Sequence, residues 1–231
     1  MYLAIEGVIG VGKTTLARLL QPLNQSKLLL EVFEENPFLS SFYEDRERYA
    51  FQTQIFFLLS RYQQQRRVVP DVLASGENLI ADYTFEKDAL FAGINLRGDE
   101  LDMYYKVHEA LAEKIPSPDL IVYLRASTDT LIQRITLRDR AYERNMERAY
   151  IHQLNQAYDD FFSDYTQKAG YRSSPVLTIE TDNLDFVHHP DHLKWVDNRV
   201  RQALRLIPFQ PELPLEFWEK EGNPQGPAST G

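Results

Sequence analysis

The chain has 231 residues, with 34 acidic and 25 basic side chains and a net charge of −9. That length allows one α/β domain with a well-buried core, and the acidic balance argues against nucleic-acid polymers and anionic membranes as partners, though not against a nucleotide in a local positive pocket. Cysteine is absent, which excludes disulfides and cysteine metal sites; with no apolar run of membrane-span length and Glu6 too early for a signal peptide, we expect a cytoplasmic protein.

In chain order, short apolar runs alternate with helical patterns. Strands are expected at Leu3 to Glu6, Leu28 to Phe33, Leu79 to Asp82, Leu120 to Leu124 and Val176 to Ile179. Their continuous apolar character suits a parallel sheet covered on both faces. Helical spacing runs over Thr14 to Leu20, Glu47 to Val69 (ended by Pro70), Leu101 to Ile115, Thr128 to Arg138, Tyr150 to Ala169 (ended by Gly170) and His189 to Leu206. The alternation implies a doubly wound, three-layer α/β fold over residues 1–207. Residues 208–231, rich in Pro, Gly and Glu, read as a tail: Phe217 and Trp218 are candidates to pin part of it, and Asn223 to Gly231 reads as disordered.

Between the first strand and the first helix stands GVIGVGKTT, residues Gly7, Val8, Ile9, Gly10, Val11, Gly12, Lys13, Thr14 and Thr15. A Gly, four residues and then Gly-Lys-Thr, between strand and helix, is the P-loop pattern. Its glycines free the backbone to turn N–H groups onto phosphate oxygens. Lys13 is spaced to reach β- and γ-phosphates, and the Thr14 hydroxyl to hold Mg²⁺. The loop handles nucleotide phosphate; by itself it does not name the acceptor.

Four further groups narrow the chemistry. The second strand runs into Glu31, with Glu34 and Glu35 beyond. A carboxylate at a strand's carboxyl end suits a general base, and Glu31 is the best placed of the three. Asp82, closing the third strand, is expected to make the second Mg²⁺ contact, with a strand-end turn or helix cap as the plain alternative. Arg134, Arg138 and Arg140 in RITLRDR lie together on or just past one helix, and three convergent guanidiniums need an anion such as a transferring phosphoryl group. Gln54 and Arg61, two helical turns apart among Phe51, Ile55 and Leu58, suit the edge of a nucleobase. His188, His189 and His192 lack the carboxylate neighbours of a metal site.

Together these residues resemble the deoxynucleoside kinase family over about residues 1–207. The resemblance implies a three-layer P-loop kinase fold with a five-stranded parallel sheet and an arginine-rich lid at about 138–148. Glu31, ahead of Glu34-Glu35-Asn36-Pro37-Phe38, stands where the family has its base. Tyr43 and Glu143 match contacts to the sugar 3′-hydroxyl, Gln54 the contact to the base edge, and Ser60-Arg61 a pair beside the base. RITLRDR is similar to the lid that clasps donor phosphates, and the loop from Thr181 to Phe186, with Asp182 and Phe186, to the one that touches the donor adenine. Many members have an acid-arginine pair at the third strand's end; here it is Asp82-Tyr83, which passes that arginine's role to the lid arginines or Arg61.

The resemblance implies ATP-dependent phosphorylation of a deoxynucleoside 5′-hydroxyl in nucleotide salvage, with Mg²⁺ and a homodimer built through the helices from Glu47 and Leu101. A purine is expected, read by Asp88 set against Arg61 and Gln54. The substrate-side set is then Glu31, Tyr43, Gln54, Arg61, Asp82, Tyr83, Asp88 and Glu143. A thymidylate-kinase-like enzyme acting on monophosphates is the nearest alternative, but it would want cations where Glu31 stands. A non-catalytic nucleotide switch is a more distant one.

Overall fold

The structure, a computed structural model, describes residues 1–144, 146–167 and 174–207. Five strands form one all-parallel sheet: β1 (Tyr2–Glu6), β2 (Ser26–Leu29), β3 (Asn78–Ala81), β4 (Leu120–Arg125) and β5 (Val176–Glu180), in the order β2-β3-β1-β4-β5. β1 is central and pairs with β3 on one side and β4 on the other, with Leu3 opposite both Ile80 and Leu120. Hydrogen-bonded along both edges and covered on both faces, β1 is apolar almost throughout, and Leu3, Ala4 and Ile5 have no exposure. All five carboxyl ends share one edge of the sheet, where open α/β sheets bind ligands.

Among the described residues, eight α-helices connect and cover the strands: α1 (Lys13–Asn24), α2 (Leu39–Glu44), α3 (Arg46–Ala74), α4 (Glu86–Asn95), α5 (Gly98–Ala112), α6 (Thr128–Arg138), α7 (Arg148–Gln167) and α8 (Pro190–Ala203). α1 buries Leu16, Ala17 and Leu20 completely and packs along α8. Each such leucine contributes about 1.5–3 kcal/mol. Elsewhere α4 sits among α3, α5 and α7.

The sheet, its five strands and the flanking helices agree with the expected α/β architecture; the boundaries differ where tertiary contacts intervene. β2 ends at Leu29, not Phe33, because side chains capture the next backbone groups: Gln64 donates to the Leu30 carbonyl at 3.0 Å and Asp82 accepts from the Glu31 N–H at 2.8 Å. Residues Phe33–Glu35 then form a single 3₁₀ turn. α3 does not stop at Pro70 but continues to Ala74. There Val69, Val72 and Leu73 pack on Tyr2, Leu79 and Tyr83, and this burial outweighs the hydrogen bond that proline removes. α2 and α4 were not foreseen. α2 is only six residues long, and α4 starts after Phe85, which supplies no side-chain cap to mark it. Ala169, Gly170 and the tail from 208, with Phe217 and Trp218, lie outside the described residues.

Candidate active site

The P-loop leaves β1 and enters α1 through Gly12, whose φ of 107° lies where a side chain would be strained. At Gly7 the limit is space: a Cβ there would stand 2.4 Å from the Leu124 carbonyl oxygen of β4. The Lys13 ammonium donates to the Gly7 and Val8 carbonyls at 2.7 and 3.1 Å, so it lies across the mouth of its own loop. Burial, with Lys87 close by, pushes its pKa down to about 8. Under the loop sits Glu6, fully buried, accepting from the N–H groups of Gly7 and Thr84, the Thr84 hydroxyl at 3.1 Å and the Tyr158 hydroxyl at 3.3 Å. Burial raises its pKa, and its bonds tie β1, the turn after β3 and α7 together.

Just past β2 and β3 a second cluster forms. Asp82 accepts from the Thr14 hydroxyl with one oxygen and from the Glu31 N–H with the other, so the α1 start and the Glu31 backbone meet on one carboxylate. The Glu31 side chain turns the opposite way. One of its oxygens pairs with Arg61 of α3 and the other accepts from the Lys87 ammonium of α4 at 2.6 Å. Burial favours the neutral acid, but the Arg61 guanidinium and the Lys87 ammonium outweigh it and hold Glu31 well below the usual carboxylate range. Arg61 also pairs with the fully buried Asp88 and lies over the Phe57 ring at 4.4 Å. Such a buried set of charges is tolerable only because each member has an opposite partner.

One cavity runs over these groups. It is lined by Gly10, Lys13 and Thr14 of the loop, by Glu31, Asp82 and Lys87, by Tyr43, Gln54, Phe57, Arg61 and Phe91, and by Arg138, Arg140 and Glu143. Gln54, in α3, is nearly buried and faces this cavity among apolar neighbours. Glu143, also buried, grips Arg138 in a two-toothed pair at 2.6–3.1 Å and stands 3.6 Å from Arg140. Arg140 stacks on Phe33 at 4.3 Å. A neighbouring depression is lined by Gly10, Val11, Gly12 and Thr15, by Arg134 and Arg138, and by Asp182 and Phe186. Arg138 and Gly10 therefore border both spaces.

Three expected residues lie elsewhere. Arg134 does not converge with Arg138 and Arg140: its guanidinium donates to the carbonyls of Val11, Thr181 and Leu184 and to the Thr181 hydroxyl, bolting the loop after β5 to the P-loop. Asp88 is sealed behind Arg61 and does not line the cavity. Tyr83 is fully buried in the small cluster beneath α3 and donates to Gln64. Lys87, Glu6, Phe57 and Phe91 went unread in the sequence. For Lys87 the local signal is weak, since it stands between Glu86 and Asp88 and reads as one charge of an ordinary first helical turn, although a lysine that is buried needs an anionic partner. Its partner, Glu31, lies 56 residues away in the chain, so no local spacing reveals it.

Comparison with known proteins agrees with this geometry. The family model described as deoxynucleoside kinase matches residues 3–205. A deoxyguanosine kinase from Bacillus subtilis (strain 168) is 34% identical over 203 residues, covering 88% of this chain and 97% of that protein. A deoxyadenosine kinase from Dictyostelium discoideum is 33% identical over 211 residues, covering 89% and 81%. Among solved structures, a deoxyadenosine kinase from M. mycoides with the products dCMP and a flexible dCDP bound superposes with a TM-score of 0.74 at 26% identity, covering 87% of this chain and 99% of that one. The same enzyme with bound dATP gives 0.73. A phosphate loop, a buried carboxylate beside it and a match spanning nearly the whole described chain lead to one conclusion: this chain belongs to the deoxynucleoside kinase family and is a kinase.

Proposed function

We propose that the protein transfers the γ-phosphoryl group of ATP to the 5′-hydroxyl of a purine deoxynucleoside, releasing the 5′-monophosphate and ADP for nucleotide salvage. The observation that carries this reading is a single cavity shared by the P-loop, by Glu31, and by Tyr43, Gln54 and Phe57. The nucleoside lies with its base edge on Gln54, its ring beside Phe57 and Phe91, and its 3′-hydroxyl toward Tyr43 and Glu143. Its 5′-hydroxyl meets Glu31, which takes the proton as the new P–O bond forms. The relatives named deoxyguanosine and deoxyadenosine kinases support the purine preference. Asp88 contributes to it through Arg61, not by contact.

Positioning and charge neutralisation supply most of the rate in such a transfer. Lys13, Arg138 and Arg140 neutralise the phosphates, and Arg134 serves by steadying the adenine-side loop with Asp182 and Phe186. Thr14 and Asp82 fit Mg²⁺, for they bring a hydroxyl and a carboxylate, both hard oxygen donors, together beside the loop. When bound, the ion supplies further neutralisation of phosphate charge. Exposed ion pairs such as Arg144–Asp139 and Arg148–Asp129 hold the lid. Solvent screens them, so the lid opens readily to admit substrate and closes to exclude water. The cytoplasm, where ATP and free deoxynucleosides meet, is the expected location. We also propose a homodimer. The face we assign to a partner is that of α4, α5 and α7, where Leu90, Ile94 and Tyr105 line a groove reaching Phe161.

ATP consumption measured against four deoxynucleosides and their monophosphates tests the reading. Stimulation by deoxyadenosine or deoxyguanosine is expected. Stimulation by monophosphates alone would select the thymidylate-kinase-like alternative, and none at all a nucleotide switch. Glu31→Gln should lower kcat by about 10²–10⁴-fold. Gln54→Ala should raise KM for the nucleoside about tenfold or more and leave that for ATP unchanged; equal effects on both would remove Gln54 from the base pocket.

A further inference from the structure

We propose that Lys87 is a second catalytic cation of this site, one that exchanges partners as the reaction proceeds, from the Glu31 carboxylate to the phosphoryl group in transfer. The proposal rests on the reading of Glu31 as general base. Two cations hold Glu31, one on each oxygen, and they are held very differently themselves. Arg61 is held by Glu31, by the buried Asp88, by Phe57 at 4.4 Å and by Tyr83 at 6.0 Å. Lys87 enters from the first turn of α4 with Glu31 at 2.6 Å and the Phe91 ring at 5.6 Å. An ammonium on a four-carbon stem can turn its three donors without moving the helix, whereas a planar guanidinium locked into two carboxylates cannot.

Charge bookkeeping then gives the direction of the exchange. Lys87 and Lys13 line the same cavity, so two like charges share it. Glu31, Asp82 and Glu6 offset them from the second, third and first strand ends, while Arg61 and the lid pair Arg138–Glu143 complete the charged surroundings. A polyphosphate between the two lysines compensates both at once. As O5′ forms its bond to the γ-phosphorus, its proton passes to Glu31, the bond to the β–γ bridging oxygen breaks, and ADP leaves with that electron pair. Protonation cancels the charge on Glu31 that held Lys87, at the moment negative charge spreads over the phosphoryl oxygens and the leaving group. The ammonium thus loses one anion as another forms within the same cavity, and no other charge needs to enter.

The experiment compares Lys87→Met, Lys87→Arg and Lys87→Ala with Glu31→Gln in the full chain, following kcat, KM for both substrates and thermal midpoint. Lys87→Met should lose about 10²–10³-fold in kcat while KM for the deoxynucleoside stays within about threefold. Lys87→Arg should recover part of the loss, and ethylammonium in the buffer should restore turnover to Lys87→Ala in a saturable way. A kcat for Lys87→Met within about fivefold of wild type overturns the proposal, as does a loss confined to KM. If the methionine variant does not fold, the alanine variant decides: no rescue by ethylammonium sinks the idea. Glu31→Gln separates the two readings. Turnover surviving in that variant removes the base and this proposal with it; an inactive Glu31→Gln beside an active Lys87→Met removes Lys87 alone.

Discussion

The arginines of RITLRDR differ in what each one touches. Arg134 is committed to backbone: three carbonyls and the Thr181 hydroxyl accept from it, across the join between the P-loop and the loop after β5. Arg138 is committed to Glu143, and its guanidinium is one-third exposed and borders both spaces. Removing the Arg134 side chain orphans buried acceptors, so Arg134→Ala should cost about 2 kcal/mol or more in denaturant unfolding and weaken ATP binding. Arg138→Ala leaves the buried Glu143 carboxylate with Arg140 at 3.6 Å, so it should cost stability too, and it should also lower kcat by about 10²-fold or more. A kcat for Arg138→Ala close to wild type would leave Arg138 a scaffold residue alone. In sequence these two residues, four apart on one helix face, look alike; the loop each one reaches tells them apart.

At the scale of elements, α3 does the most to assemble the site. Its 29 residues carry Gln54, Phe57 and Arg61 into the cavity, and it continues past Pro70 to cover β3. That proline sits inside a regular helix at the expense of one hydrogen bond and some crowding of the preceding turn. Since Val69 and Leu73 already fix the helix there, Pro70→Ala should stabilise the fold by about 1–3 kcal/mol, read as a higher urea midpoint with an unchanged slope. An unchanged or lower midpoint would mean that proline's restriction of the unfolded chain offsets the recovered bond. The short β2 gives the same lesson in reverse. Leu30 to Phe33 are expected to continue the strand, but Gln64 and Asp82 take the Leu30 carbonyl and the Glu31 N–H, and Glu31 lines the cavity.

For the molecule as a whole, the homodimer we propose uses the groove face of α4, α5 and α7. Light scattering should give a mass of about twice 26.9 kDa at micromolar concentration, and Leu90→Glu with Tyr105→Glu should shift it toward one; a wild-type monomer would sink the dimer. Much of the protein was legible before folding. The P-loop is contiguous, so its glycines, lysine and threonine declare their chemistry by spacing alone. The strands of a sheet buried on both faces are apolar along their length, and the alternation of strand and helix marks a parallel sheet. Glu31, Gln54 and Arg61 could be nominated because a strand end and a helix face group residues locally. What the sequence could not determine is which distant charge meets which. Buried ion pairs form between residues tens of positions apart, and packing alone selects the partner. Lys87 on Glu31, Asp88 behind Arg61 and Arg134 on the Thr181 loop are therefore decisions of the tertiary structure, made where desolvation forces every buried charge to find an opposite group or a row of carbonyls.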